Sequence, residues 1–290
     1  MNGIILVDKP SGWTSNDVVC KLKGVLHERK VGHSGTLDPM ATGLLPVFVG
    51  RATKAVEYAE NDKKRYIAGL RLGIVTDTLD ITGKVLSTFP VSTGLPELQQ
   101  VISGFLGRIK QVPPMYSAVK INGTRMYKLA RDGKSVERPA REVEIFRIDC
   151  LGSDASGDYI IDVVCSKGTY IRSLCNDIGT ALHCGGCMSS LRRLSCGGFR
   201  LDDAVPLNEL IKMQPEEIER NWLIPVDGVF SDFPEYRINE KETVKVKNGI
   251  MIPVPLSDGI YRVYSCSGEF LILGSVREGI LKQLKSFYEV

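Results

Sequence analysis

No apolar run in this 290-residue chain approaches the roughly 18–20 residues that span a bilayer, so no membrane-crossing helix is expected. The N-terminus has no basic stretch feeding an apolar one, which points away from secretion and toward the cytoplasm. Walker-type and dinucleotide-binding glycine patterns are missing as well. The eight cysteines lie too scattered in a chain this long for a disulfide scaffold, so reduced thiols are expected. Cys184-Gly185-Gly186-Cys187, beside His183 and near Cys196, invites a zinc or redox reading. A structural zinc site needs a second ligand pair at recognisable spacing, and a redox motif needs a thioredoxin-like setting. Neither occurs, and no metal is expected.

What the chain does contain is an ordinary globular composition, 43% hydrophobic and 24% charged. Its length suits one large domain with a small one appended. The net charge of +3 is too small to announce a polyanionic partner, but it is unevenly spread. From Arg108 to Arg147 ten Lys/Arg stand against four acids, which leaves the remainder slightly acidic. With Tyr116 and Tyr127 interleaved, that stretch suits phosphate neutralisation and base contacts. A solvated basic surface is the plain alternative.

Hydrophobic periodicity gives the elements. Ile4–Val7 reads as a buried strand running into the Lys9-Pro10-Ser11-Gly12 turn, and Thr14 or Ser15 caps a helix through about Leu26. Strands are expected at Leu44–Val49 and Tyr66–Leu72, a strand pair at Val143–Cys150 and Tyr159–Cys165, and helices at Leu95–Phe105 and Tyr170–Leu182. Strands and helices mix without regular βαβ alternation, so the fold class expected is α+β with a mixed, mostly antiparallel sheet flanked by helices. Residues 202–224 read as a helical connector, and from about Phe233 short strands and turns take over. The expected division is therefore 1–230 and 233–290.

The densest chemistry lies in His33-Ser34-Gly35-Thr36-Leu37-Asp38-Pro39-Met40-Ala41-Thr42-Gly43. Pro39 and the two glycines shape a stiff backbone that presents Asp38 at a rigid corner. Taken alone, an Asp before Pro in such a loop is a turn residue more often than a catalyst. The stretch closely resembles the GHTGxLDPxATG motif of the tRNA pseudouridine-55 synthases, the TruB family. The resemblance continues through Lys63-Lys64-Arg65-Tyr66, Leu72-Gly73 with Thr76-Asp77-Thr78-Leu79-Asp80, and Pro113–Lys120. Lys167-Gly168-Thr169-Tyr170-Ile171-Arg172 and Leu191-Arg192-Arg193 complete six blocks in the family's order, and Gly3–Gly12 is similar to its first strand and turn.

The resemblance implies a pseudouridine-synthase core ending in a small β-rich PUA-like RNA-binding domain, with residues about 110–140 as an insertion that grips RNA. It implies isomerisation of uridine 55 in the T loop of tRNA, in which N1–C1′ breaks, the uracil turns and C5 joins C1′. No redox change occurs, so no cofactor is needed. The target nucleotide has to be flipped out of folded RNA. Asp38 matches the family's essential aspartate, acting as nucleophile or as base. Arg172 is its natural guanidinium partner, with Asp80 bracing that arginine.

Tyr66 and Tyr170 match the two pocket tyrosines, suited to stacking on uracil, and Tyr66 is also a candidate to accept or relay the C5 proton. Leu191 matches a leucine of the pocket wall, and His33 a histidine that touches the RNA. Without the resemblance Tyr66, Tyr170 and Leu191 read as core, His33 as inert, and Arg192 and Arg193 as solvated. The expected partner is tRNA, through its T-arm stem-loop, with no obligate protein partner and a monomer by default. Two rivals stand beside this reading. One is the catalytic subunit of a guide-RNA-directed complex, which shares the core but lacks the basic insertion. The other is an RNA chaperone that refolds tRNA without chemistry.

Overall fold

The computed structural model describes residues 1–59, 63–116, 120–121, 124–126 and 138–288. Tyr127, Lys128, Arg131 and Lys134 of the expected RNA-gripping insertion lie outside the described residues. The first strand, β1 (Gly3–Lys9), buries Ile4, Ile5, Leu6 and Val7 alike, as its unbroken apolar run requires of a strand covered on both faces. It turns into α1 (Ser15–Val25), where Thr14 and Asp17 close a reciprocal capping box. β2 (Val31–His33) and β3 (Thr42–Val49) flank the loop that carries Asp38.

β4 (Lys64–Leu72), α2 (Leu95–Ser103), β5 (Gly107–Gln111) and the long β6 (Arg141–Ser153) follow. Next come β7 (Tyr159–Cys165), α3 (Ile171–Ala181) and β8 (Gly186–Cys196). The connector is helical as expected in α4 (Pro215–Trp222), but a short strand, β9 (Val205–Pro206), precedes it. With the short Phe199–Arg200 strand paired to β8, these strands build a ten-stranded sheet with the main path β9-β1-β3-β8-β4-β7-β6-β5. β1 with β9 and β3 with β8 are parallel, and the other pairs are antiparallel, so the sheet is mixed and mostly antiparallel. Leu98 and Ile102 of α2 and Leu174, Cys175 and Ile178 of α3 share one buried cluster with Ala68 of β4 and Leu191 of β8.

The chain ends in a five-stranded sheet, β10 (Glu235–Ile238), β11 (Ile252–Pro253), β12 (Gly259–Ser265), β13 (Phe270–Arg277) and β14 (Ile280–Ser286), in the order β10-β12-β13-β14-β11. A helix that periodicity did not suggest, α5 (Glu240–Lys247), is set by an Asn239–Glu242 capping box. This sheet does not stand apart: Leu273 and Phe287 belong to the same buried cluster as Ile4, Leu44, Phe48 and Phe230. No helix among the described residues is long and apolar enough to cross a membrane.

Candidate active site

The Asp38 loop is gripped by the N-terminal turn. Ser15 Oγ, 1% exposed at the start of α1, accepts the Leu37 N–H at 2.9 Å and donates to the Leu37 carbonyl at 3.2 Å. Beyond the acid, the Pro39 carbonyl accepts from the Gly12 N–H at 2.8 Å and from Lys9 Nζ at 3.3 Å. Lys9 is fully buried and also donates to the carbonyls of Pro10 (2.9 Å) and Trp13 (2.7 Å). Peptide units on both sides of Asp38 are thus fixed before any substrate arrives, which is how a reactive group is held to productive geometry.

Arg172 approaches from the first turn of α3. Gln111, at the end of β5 and 1% exposed, accepts the Tyr170 N–H at 2.7 Å and donates to its carbonyl at 3.0 Å, fixing where the helix begins. From there the guanidinium meets Asp38 side-on, with Nε 2.9 Å from Oδ2 and Nη2 3.1 Å from Oδ1. Its other hydrogens go to the carbonyls of Thr78 (3.2 Å) and Tyr116 (2.8 Å), and Nη1 lies 3.7 Å from Asp80 Oδ2. Asp80 Oδ1 in turn accepts from Thr78 Oγ1 (2.9 Å), the Thr82 N–H (3.0 Å) and Thr82 Oγ1 (2.5 Å). Asp38, Arg172 and Asp80 therefore form one continuous chain of contacts.

Asp38 opens onto a cleft of about 550 Å³. Tyr66, Tyr170, Arg172 and Leu191 line it, as do Gly35, Lys64, Lys167 and Arg193. That volume falls within the several hundred Å³ usual for a small-molecule site. His33 and Asp80 are not on its wall. His33 sits half-buried on β2, and Asp80 lies beneath Arg172 at 5% exposure. Loss of water around Asp38 pushes its carboxyl above the usual value; Arg172 opposes this and the Asp80 charge adds to it. Burial pushes the Tyr66 phenol up to about 12, even though Arg193 pulls the other way. Burial, and then the Arg193 charge, hold the His33 imidazole below its ordinary value.

One sequence expectation fails. Arg193 is not solvated: its side chain is fully buried. Successive residues of a strand face opposite sides, so Leu191 and Arg193 share the cleft face while Arg192 takes the other, with Nη2 2.7 Å from Asp8 Oδ2. Cys184 and Cys187, for which no metal is expected, are both buried where β8 begins. Gln111, Ser15 and Lys9 carry no motif signal of their own, since their work is to hold the backbone of other residues. Only Lys9 sits inside a block quoted for its resemblance.

Comparison with known proteins gives the family. Residues 23–171 match the TruB family pseudouridylate synthase N-terminal domain, and residues 172–231 match the tRNA pseudouridylate synthase B C-terminal domain. The tRNA pseudouridine synthase B of Clostridium kluyveri is 44% identical over 294 residues, covering 99% of this chain and 100% of the relative. That of Clostridium perfringens is 41% identical over 298 residues, covering 100% of both chains. Among solved structures, a chain of a Cbf5–Nop10–Gar1 complex superimposes with a TM-score of 0.73 at 26% identity, covering 99% of this chain and 85% of that one. Motif, fold and full-length likeness agree, and the chain belongs to the TruB family of pseudouridylate synthases, making it an enzyme that forms pseudouridine in tRNA.

Proposed function

We infer that the protein isomerises uridine 55 in the T loop of tRNA, with Asp38 as the essential carboxylate. The observation that carries this reading is an asymmetry within the ion pair. The Arg172 side chain is 5% exposed and Asp38 32% exposed, so a buried guanidinium offers an oriented carboxylate outward into a cleft. A bidentate guanidinium favours the ionised acid that either route, nucleophile or base, needs at the ribose. Asp80 braces Arg172 from behind. Tyr66 or Tyr170 stacks on the flipped uracil, a contact worth about 1–3 kcal/mol, and Leu191 closes the wall. Tyr66 relays the C5 proton, and His33 contacts RNA beside the flipped nucleotide.

Residues 1–230 are the catalytic domain in this reading, and 233–290 an RNA-binding domain. Recognition of this kind reads loop shape and splayed bases rather than duplex sequence, so an isolated T-arm stem-loop suffices as substrate. The isolated chain, acting as a monomer, needs no protein or guide RNA. Independence of such partners separates it from assemblies such as the Cbf5–Nop10–Gar1 complex, one chain of which shares the fold.

The test is tritium release from C5-labelled uridine in a T-arm stem-loop by the isolated chain and by Asp38→Asn. Release by the wild type alone, with RNA binding kept in the variant, is expected. Binding without release by either protein would leave an RNA chaperone or a guide-dependent subunit in its place.

A further inference from the structure

Arg193 heads the fully buried side chains among the described residues in size, and it carries a charge that the mechanism above does not use. Nε donates to the Leu44 carbonyl at 2.7 Å and Nη2 to the Gly35 carbonyl at 3.0 Å, while Nη1 is buried with no hydrogen-bond partner among the described residues. The ion pairs of the described residues include Arg172 and Arg192 but not Arg193. A guanidinium removed from water without a carboxylate is costly, and an idle N–H adds to that cost.

Its surroundings show what completes it. Nη1 lies against Gly35, where a Cβ would come within 3.1 Å of it, and both residues line the substrate cleft. Across β4 and β8 Arg193 stands directly opposite Tyr66. Directly opposed residues share a face, with Cβ atoms about 4.5–5.5 Å apart. The Arg193 charge accordingly pulls the Tyr66 phenol toward ionisation, against the burial that opposes it.

We propose that Arg193 is a positioning residue for proton transfer, its Nη1–H receiving the Tyr66 oxygen while that oxygen carries negative charge. This rests on the reading of Tyr66 as the proton relay. Once C5 has joined C1′, C5 is tetrahedral beside an N1=C6 double bond. Tyr66 gives its phenolic proton to N1 and, as a phenolate, takes the proton from C5. The C5–H electron pair becomes the C5=C6 double bond, and the N1=C6 π pair returns to N1. Arg193 keeps its own protons throughout, because a guanidinium does not deprotonate in proteins. It lowers the energy of a buried anion that exists only between the two transfers.

The experiment compares single-turnover rates on T-arm stem-loops bearing hydrogen or deuterium at C5 of the target uridine, for wild type, Arg193→Gln, Arg193→Lys and Tyr66→Phe. Folding is read by melting and RNA binding separately; if the glutamine variant does not fold, the lysine variant carries the test. Both arginine variants should bind RNA as the wild type does. The glutamine variant should turn over about 10–100-fold more slowly, the scale of a weakened proton transfer, with a larger hydrogen/deuterium ratio. Lysine, which keeps the charge, should fall between. A slower rate with an unchanged ratio, or an unchanged rate, would overturn the proposal and leave Arg193 a packing residue. If Tyr66→Phe turns over normally, the Tyr66 reading itself falls and this inference with it. If Tyr66→Phe stalls while the arginine variants keep the wild-type ratio, only the inference on Arg193 falls.

Discussion

At the scale of the residue, the role proposed for Asp38 makes two demands that pull against each other: the carboxylate has to be ionised, and it has to be uncovered by anything but substrate. Walls that exclude water raise its pKa, and the bidentate Arg172 contact limits the rise. Asp80 cuts both ways, since it steadies Arg172 from 3.7 Å yet repels charge on Asp38. The sign of its effect on pH dependence follows. A carboxylate needed in its ionised form loses activity as pH falls through its pKa, and kcat/KM reports that value in the free enzyme. With the Asp38 pKa raised, the acid limb should lie above the ordinary carboxylate range of about 4. Replacing Asp80 with Asn removes a like charge, so the limb should move to lower pH even as the plateau drops from a less steady Arg172. A pH profile of tritium release from the T-arm checks this, and a limb that moves upward would show that Asp80 acts on Asp38 mainly through Arg172. Asp38, Tyr66, Tyr170 and Arg172, which meet at the cleft, were legible as candidates because three short motifs carry them. Arg193 was hidden because two adjacent arginines look alike in sequence, although strand alternation forces one of them inward.

At the scale of the element, β8 decides the site, since it brings Leu191 and Arg193 to the cleft and pairs with β3 and β4 on its two edges. Its sequence conceals it. Cys187, Met188, Leu191 and Cys196 are buried, but serines and arginines interrupt them. Bulges after Met188 and Arg193 also break the period of two by which a strand is recognised. β6 bulges too, after Ile145 and Cys150, yet it and β7 were legible over most of their length because β-branched and aromatic residues crowd them, and α1 was announced by its cap at Thr14. What lets β3 lie so close to β8 is Gly43, whose φ of 98° and missing side chain are both required. A Cβ there would sit 2.4 Å from the Arg193 carbonyl oxygen, a backbone atom with nowhere to go. Gly43→Ala should therefore cost about 1–3 kcal/mol of stability, from strain at positive φ and from strand separation. Turnover should fall as well, because the same shift moves Arg193. Chemical denaturation reads the first effect, and a midpoint equal to wild type would mean that β3 tolerates the displacement.

At the scale of the whole molecule, the boundary near residue 231 that composition suggests is not a boundary of the core. The C-terminal sheet has a cluster of its own around Val263, Leu271 and Val276. A unit of under 60 residues, however, buries too small a share of its surface to be more than marginally stable alone. It leans on the larger body through aromatic rings. Phe230, 1% exposed, packs edge-on against Tyr58 at 5.1 Å and lies 5.9 Å from Phe270 and 5.5 Å from Phe287. These rings come from distant parts of the chain, so no local pattern could have revealed that they meet. A shared core predicts shared melting. The full chain should unfold in one transition, and Phe230→Ala, costing about 3–5 kcal/mol for a buried aromatic truncated to a cavity, should move that transition as a whole. Calorimetry distinguishes the alternative: two transitions, only one displaced by the variant, would mean that the C-terminal sheet folds independently. In the shared-core case the two sheets are lost together, so T-arm binding should disappear over the same temperature range as the calorimetric transition, in the wild type and in the variant alike.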